Sequence, residues 1–178
     1  ELANIHCGGV PMAITVQTNM ATPAIDEFGS EYLKETYLKP AISGDAVASI
    51  AVTEPDAGSD VAALKTTARK EGDVWMLNGS KTYITNGTQA DYLTLLARTR
   101  DDPGYHSFSL FVVPSDLPGF QVSKKLDKMG MRSSDTAELF FDNVPIPAEN
   151  LIGSEGEGFI HQMMQFQHER FSVLPMLY

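Results

Sequence analysis

The chain has 178 residues, 43% of them hydrophobic, enough for one domain or a little more with a real core, which excludes general disorder. A net charge of −10 without any run of Lys or Arg excludes a nucleic-acid backbone as the main partner, while leaving room for a local basic site for a small anion. Gly8, Gly9 and Pro11 interrupt the most apolar early stretch, so nothing approaches a membrane span; the single Cys7 excludes an internal disulfide framework and favours a reducing compartment.

Residues 1 to about 40 read as two or three short helices. Thr22 before Pro23 is an N-cap followed by proline at the first helical position, and Gly29 offers a stop. Ser30 caps the next helix, in which Leu33 and Tyr37 recur four apart, and Pro40 is expected to end it. Beyond Gly44 the pattern turns to β. Residues 46–52 are a short apolar run bounded by turn formers, the mark of a buried strand. Residues 74–77 and 81–85 flank Asn78-Gly79-Ser80. Asn-Gly tolerates the positive φ angles of a tight turn, so a hairpin is expected there. Residues 92–97, 108–113, 120–122 and 138–141 supply further strands, punctuated by Pro103-Gly104 and Pro118-Gly119. Short strands separated by turn signals indicate an antiparallel barrel or sandwich, not a parallel α/β sheet.

After Gly153 a helical period returns, with Phe159, Met163, Phe166 and Arg170 on one face and Ile160 and Met164 beside it; Pro175 is expected to kink or end that helix. The fold class is therefore α+β: short N-terminal helices (1–45), a middle antiparallel β domain (46–153) and one C-terminal helix (154–178). Glu1 stands where a start methionine would, no basic segment leads into an apolar run, and the last helix has an apolar face without a partner. The chain is thus expected to be processed, or a piece of something longer.

The densest chemical signal is Val52-Thr53-Glu54-Pro55-Asp56-Ala57-Gly58-Ser59-Asp60. A buried strand runs out into a loop of small residues, whose backbone N–H groups can approach a ligand closely while Thr and Ser hydroxyls add hydrogen bonds. Pro-Asp and Gly-Ser also suit an ordinary turn, and physics alone leaves both readings open. Thr53-Glu54-Pro55-x-Ala57-Gly58-Ser59-Asp60 resembles the signature of the acyl-CoA dehydrogenases, flavoenzymes that oxidise acyl thioesters. Asn78-Gly79-x-Lys81-x-Tyr83-Ile84-Thr85-Asn86-Gly87 is similar to that family's second flavin segment. Met129-Gly130-x-Arg132-x-Ser134-Asp135-Thr136, Phe141-x-x-Val144-x-Ile146-Pro147 and Asn150-Leu151-Ile152-Gly153 follow in the family's order.

The resemblance implies FAD contacts at Ile50, Ala51, Val52, Thr53, Gly58 and Ser59, with Thr53 at the pyrimidine side of the flavin and Ser59 near the pyrophosphate and the acyl-CoA. It also implies that Tyr83, where many relatives carry Trp, packs against the flavin ring alongside Ile84, and that Thr85 lies near N5. Taken alone, Tyr83 is a half-buried strand aromatic. In a smaller group resembling the isovaleryl and long-chain enzymes, the catalytic base is a Glu directly before an Arg on the first helix after the β domain. His168-Glu169-Arg170 stands there, so Glu169 is the candidate base, with Gln167, His168 and Arg170 on the substrate side. Burial beside thioester and flavin would raise the Glu169 pKa; on composition alone it is an ordinary helix carboxylate. Arg132 matches the family without a role that follows from its chemistry, and Met163-Met164 with Phe159 and Phe166 reads as core or acyl-pocket lining.

The activity implied is FAD-dependent α,β-dehydrogenation of acyl-CoA to trans-2-enoyl-CoA. Electrons would pass to an electron-transfer flavoprotein, and the full-length protein would form dimers or tetramers whose missing helical bundle completes the pocket. The compartment implied is the mitochondrial matrix for a eukaryote and the cytoplasm for a bacterium. Two alternatives are a non-catalytic flavin or acyl-CoA binding or interaction module and a flavin oxidase on the same scaffold. His6, His106, His161 and His168 lack the spacing of a metal site, and Ser133-Ser134-Asp135 has no His placed as a base.

Overall fold

The computed structural model describes residues 4–172, without the side chains of 171 and 172; Pro175 lies outside them. The chain opens with helix α1 (Gly9–Thr15), which widens into a π-helical stretch (Val16–Ala21), and then α2 (Pro23–Phe28). Thr22 is the N-cap of α2, but its hydroxyl donates back to the Gln17 carbonyl and caps no α2 N–H. Gly29 ends α2 because a Cβ there would lie 2.3 Å from the Ile25 carbonyl oxygen. Ser30 accepts a hydrogen bond from the Leu33 N–H and so caps α3 (Glu31–Leu33), as its sequence position indicates.

The expected stop at Pro40 is not observed. A π-helical stretch (Lys34–Leu38) hands over without a break to α4 (Lys39–Ser43), in which Pro40 is the second residue; just before it the Lys39 N–H donates to the Lys34 carbonyl, five residues back. The stop is Gly44, in the left-handed region at φ +86°.

Eight strands then build one sheet in the order β6-β7-β3-β2-β4-β5-β8, with β1 attached to β4. They are β1 (Ala48–Ala51), β2 (Thr67–Glu71), β3 (Val74–Thr85), β4 (Tyr92–Arg98), β5 (Phe108–Pro114), β6 (Phe120–Lys125), β7 (Thr136–Pro147) and β8 (Leu151–Ile152). The last helix is α5 (Gly158–Ser172). The α+β class expected from sequence is observed. Not every seam is antiparallel, however: β1 runs parallel to β4, Ala48 opposite Tyr92. The chain leaves β1 through residues 52–66, builds the β2–β3 hairpin, and returns to start β4 beside the start of β1.

The hairpin expected at Asn78-Gly79 is also not observed. β3 runs unbroken for 12 residues, and the reversal lies earlier, at Gly72-Asp73, where Glu71 pairs with Val74. Gly79 instead marks a bulge against β7, with φ +146° and no room for a Cβ, which would lie 2.5 Å from the Thr66 hydroxyl. Asn78 holds that bulge by accepting from the Asn143 N–H at 2.9 Å. Asn-Gly here serves a close approach of two backbones.

The sheet folds over itself, so that Trp75 and Leu77 of β3 and Leu139 and Phe141 of β7 share a core with Leu93 and Leu95 of β4 and Phe111 of β5. The Trp75 and Phe111 rings meet edge to face at 5.3 Å. The outer face of β4 and β5 (Tyr92, Leu96, Phe108, Leu110, Val112) packs under the helices through Ile25, Leu33, Leu38, Phe159 and Phe166. Burial on both faces explains why these two strands read as continuous apolar runs, each fully buried large side chain contributing about 1.5–3 kcal/mol.

The face α5 buries most deeply is not the apolar one read from its period. His161, Gln162 and Gln165 are buried, whereas Ile160 and Met164 are exposed and Met163 is half-buried. Tertiary contact sets this: Gly158 lies hard against the β5 backbone, and His161 stacks on Phe28 at 3.8 Å between ring centroids.

Candidate functional site

Where the first helix, β1, β3 and α5 meet, a cleft of about 270 Å³ is lined by Met12, Val16 and Met20, by Ile50, Val52 and Thr53, by Tyr83, Ile84 and Thr85, and by Phe166 and Glu169. Two sequence motifs about thirty residues apart thus face one another across a single opening. Four hydrogen bonds fix the walls. Thr82 N–H donates to the Thr53 carbonyl at 2.9 Å. The Ser49 hydroxyl donates to the Thr85 carbonyl at 2.5 Å. Asn86 donates to the Ala13 carbonyl at 3.0 Å and the Thr94 hydroxyl to the Ala21 carbonyl at 2.5 Å, which dock the first helix on the sheet.

Tyr83 reaches the cleft through backbone strain. β3 slips register against β7 between Lys81 and Ile84, and Tyr83 takes up the slip at φ +59°, a left-handed conformation that costs a bulky residue on the order of 1–3 kcal/mol. The bulge throws its side chain outward, 70% exposed, while Ile84 turns into the core. Among the described residues neither the Thr53 nor the Thr85 hydroxyl is engaged by another side chain or backbone group.

A buried charged pair adjoins this cleft along the chain, Glu54 next to Thr53 and Lys81 two residues before Tyr83. Lys81 Nζ donates to Glu54 Oε1 at 2.9 Å, to the Val52 carbonyl at 2.9 Å and to the Leu96 carbonyl at 2.8 Å. Glu54 also accepts from the Lys65 N–H at 2.7 Å and the Thr66 N–H at 3.0 Å. Burial pushes the Lys81 ammonium down, against the pull of Glu54, to a pKa of about 8. Burial pushes the Glu54 carboxyl up, but Lys81 and the N–H donors outweigh it and hold it below the ordinary range.

Glu169 stands half-buried on the last described turns of α5, and desolvation lifts its carboxyl above the ordinary value, partly offset by Arg170. Of the other sequence-derived site residues, Ala51 faces the folded-over core, and Gly58 and Ser59 lie in the exposed part of the loop. Gln167, His168 and Arg170 are exposed and do not line the cleft. Arg132 and Ser134 line a separate surface recess with Lys125 and Lys128. Sequence reasoning missed the first-helix wall, although Met12, Val16 and Met20 recur at a helical spacing of four. It also quoted Glu54 and Lys81 without pairing them.

The geometry describes a cleft with apolar walls and two unengaged hydroxyls, where the sheet meets the flanking helices. Residues 49–144 match the acyl-CoA dehydrogenase middle domain and residues 1–45 the acyl-CoA dehydrogenase N-terminal domain. The chain belongs to the acyl-CoA dehydrogenase family. It is 45% identical to an acyl-CoA dehydrogenase of Bacillus subtilis (strain 168), over 97% of this chain and 45% of that protein. It is 38% identical to the mitochondrial long-chain specific acyl-CoA dehydrogenase of Rattus norvegicus, over 99% of this chain and 41% of that one. The fold superposes on butyryl-CoA dehydrogenase from Megasphaera elsdenii with a TM-score of 0.94 and 38% identity, over 99% of this chain and 46% of that chain. The chain therefore spans less than half the length of these relatives.

Proposed function

We propose that this chain supplies the flavin and acyl-thioester contacts of an FAD-dependent dehydrogenase that converts acyl-CoA to trans-2-enoyl-CoA, with electrons leaving to an electron-transfer flavoprotein. The observation that carries this reading is the single cleft shared by Thr53, Tyr83, Thr85 and Glu169. The cleft suits FAD: Ile50 and Val52 offer apolar contact, Tyr83 an aromatic face, and the two free threonine hydroxyls hydrogen bonds at the polar edge of the ring. When bound, FAD supplies the acceptor for the hydride lost from the β-carbon.

This chain's own residues do the rest. Glu169 takes the proton from the carbon next to the thioester carbonyl, and desolvation makes it a stronger base than a surface carboxylate. Thr53 and Thr85 would hold the polar edge of the bound ring through their hydroxyls. Gly58 and Ser59 extend the cofactor contact along the loop, while Gln167 serves the substrate's pantetheine arm, with Ser59, His168 and Arg170 on the substrate side; Ala51, enclosed in the core, is left out of the contact. The first-helix wall of Met12, Val16 and Met20 excludes water from the reacting carbons. The parts of the relatives beyond this chain's span would complete the acyl pocket, in a homo-oligomer. No helix among the described residues is long and apolar enough to cross a membrane. We place the working enzyme in the mitochondrial matrix if the source is eukaryotic and in the cytoplasm if it is bacterial.

Titration with FAD followed by anaerobic addition of acyl-CoA tests this reading. Yellow protein whose flavin absorbance bleaches, and a Glu169→Gln variant that keeps its colour without bleaching, are the expected results. Protein that takes up no FAD would instead favour the non-catalytic module, and rapid peroxide release in air would favour an oxidase.

A further inference from the structure

The buried Glu54–Lys81 pair has no part in the chemistry above, yet it stands on the two segments that carry the β-side rims of the cleft, Glu54 next to Thr53 and Lys81 two residues before Tyr83. Each of the three Lys81 N–H bonds has an acceptor, on the end of β1 (Val52), on the loop (Glu54) and on β4 (Leu96). The Glu54 carboxylate adds the Lys65 and Thr66 N–H groups just before β2. Both side chains are almost fully enclosed, at 0% and 5% exposure. A fully satisfied pair of this kind is tolerated inside a protein, but well-packed apolar side chains of similar volume usually serve stability as well or better. Apolar side chains could not hold two carbonyls and two amides from three segments in one arrangement. Thr53 sits between the two residues so held, and Tyr83 lies two residues beyond Lys81 with Thr82 tied to the Thr53 carbonyl.

We infer that Glu54 and Lys81 are positioning residues: the pair fixes the distance between Thr53 and the Tyr83–Thr85 rim, and thereby the width of the flavin cleft. This rests on the flavin reading of the cleft. The pair joins both rims and reaches β4 through the Leu96 carbonyl, so loosening it shifts the rims against one another, with only the Thr82 N–H bond to the Thr53 carbonyl still tying them directly, while the apolar packing of the folded-over core is retained.

The experiment is residue-resolved amide hydrogen exchange on the chain with and without FAD, for the parent, Glu54→Gln and Lys81→Met. Glu54→Gln keeps the volume and one oxygen but leaves one of the Lys65 and Thr66 N–H groups without its acceptor. In Glu54→Gln the Lys65 or Thr66 amide that loses its acceptor should exchange at least about tenfold faster, as expected for losing a charge-assisted hydrogen bond, and in both variants the Thr82 amide should exchange faster as the rims loosen. Amides in the β4–β5 ladder, such as Leu95 and Phe111, should keep parental protection, and FAD affinity should fall by a similar factor. Uniform loss of protection would show that the pair only supports global stability, and unchanged FAD affinity with a loosened loop would show that cleft width does not depend on it; either overturns the inference. If Lys81→Met does not fold, Glu54→Gln carries the test. If the parent binds no FAD, the flavin reading fails by itself, while the exchange pattern still reports whether the pair holds the loop.

Discussion

Substituting Gly158 by Ala sets two effects of opposite sign against each other and asks the structure which prevails. Gly158 opens α5 with ordinary helical backbone, so alanine should gain at most about 1 kcal/mol in helix propensity. A Cβ there, however, would lie 2.4 Å from the Ser109 carbonyl carbon, 2.5 Å from the Leu110 nitrogen and 2.6 Å from the Ser109 Cα. These atoms are backbone in a strand buried on both faces and cannot swing aside as a side chain could. Ordinary contact begins at 3.4 Å, so the helix must retreat by about 1 Å. Overpacking of this kind costs about 1–3 kcal/mol, and a backbone clash belongs at the upper end. The net expectation is a loss of about 1–2 kcal/mol, which for a chain of this size lowers Tm by about 2–8 °C. Because Phe166 and Glu169 ride on the same helix, the retreat also opens the cleft and weakens FAD binding. Thermal unfolding by circular dichroism, with flavin titration below the transition, reads both effects. A Tm equal to or above the parent's would refute the reasoning, because it would mean that α5 is not held at close approach to β5.

Glu169→Gln has a pH signature separate from its effect on bleaching. The folded carboxyl is raised above its unfolded value of 4.5, so ionisation favours the unfolded chain, and this group's contribution to stability declines as pH rises through 4.5 toward the folded pKa. The Gln variant should lack that decline and match or exceed the parent's urea midpoint at pH 7; a variant that is less stable at pH 7 but equal at pH 4 would contradict the assigned burial. Thr53→Val and Thr85→Val replace hydroxyls that no described residue engages, so thermal stability should stay within about 0.5 kcal/mol of the parent. FAD affinity should nevertheless fall about tenfold for each, the worth of one good hydrogen bond in a desolvated site. Equal affinity in both variants would remove the two threonines from the cofactor's contacts.

Features decided by a few neighbouring residues were legible in the chain of letters. The Ser30 cap, the Gly29 stop and the doubly buried β4 and β5 runs follow from local hydrogen-bonding needs and continuous apolarity. The misplaced hairpin shows where such reading ends: Asn-Gly permits a tight turn, but at 78–79 the backbone of Thr66 crosses so closely that only glycine fits, and the same dipeptide serves a bulge.

The sequence by itself determined the α+β order of elements and the motifs that resemble one flavoenzyme family, because strand runs, caps and small-residue loops are written in adjacent residues. Only the tertiary structure decided that Met12, Val16 and Met20 wall the same cleft as Thr53 and Tyr83, that Glu54 and Lys81 meet in a buried ion pair, and that α5 buries its polar side. Those outcomes depend on which distant surfaces come within a few ångströms of one another, a quantity that periodicity along the chain does not contain.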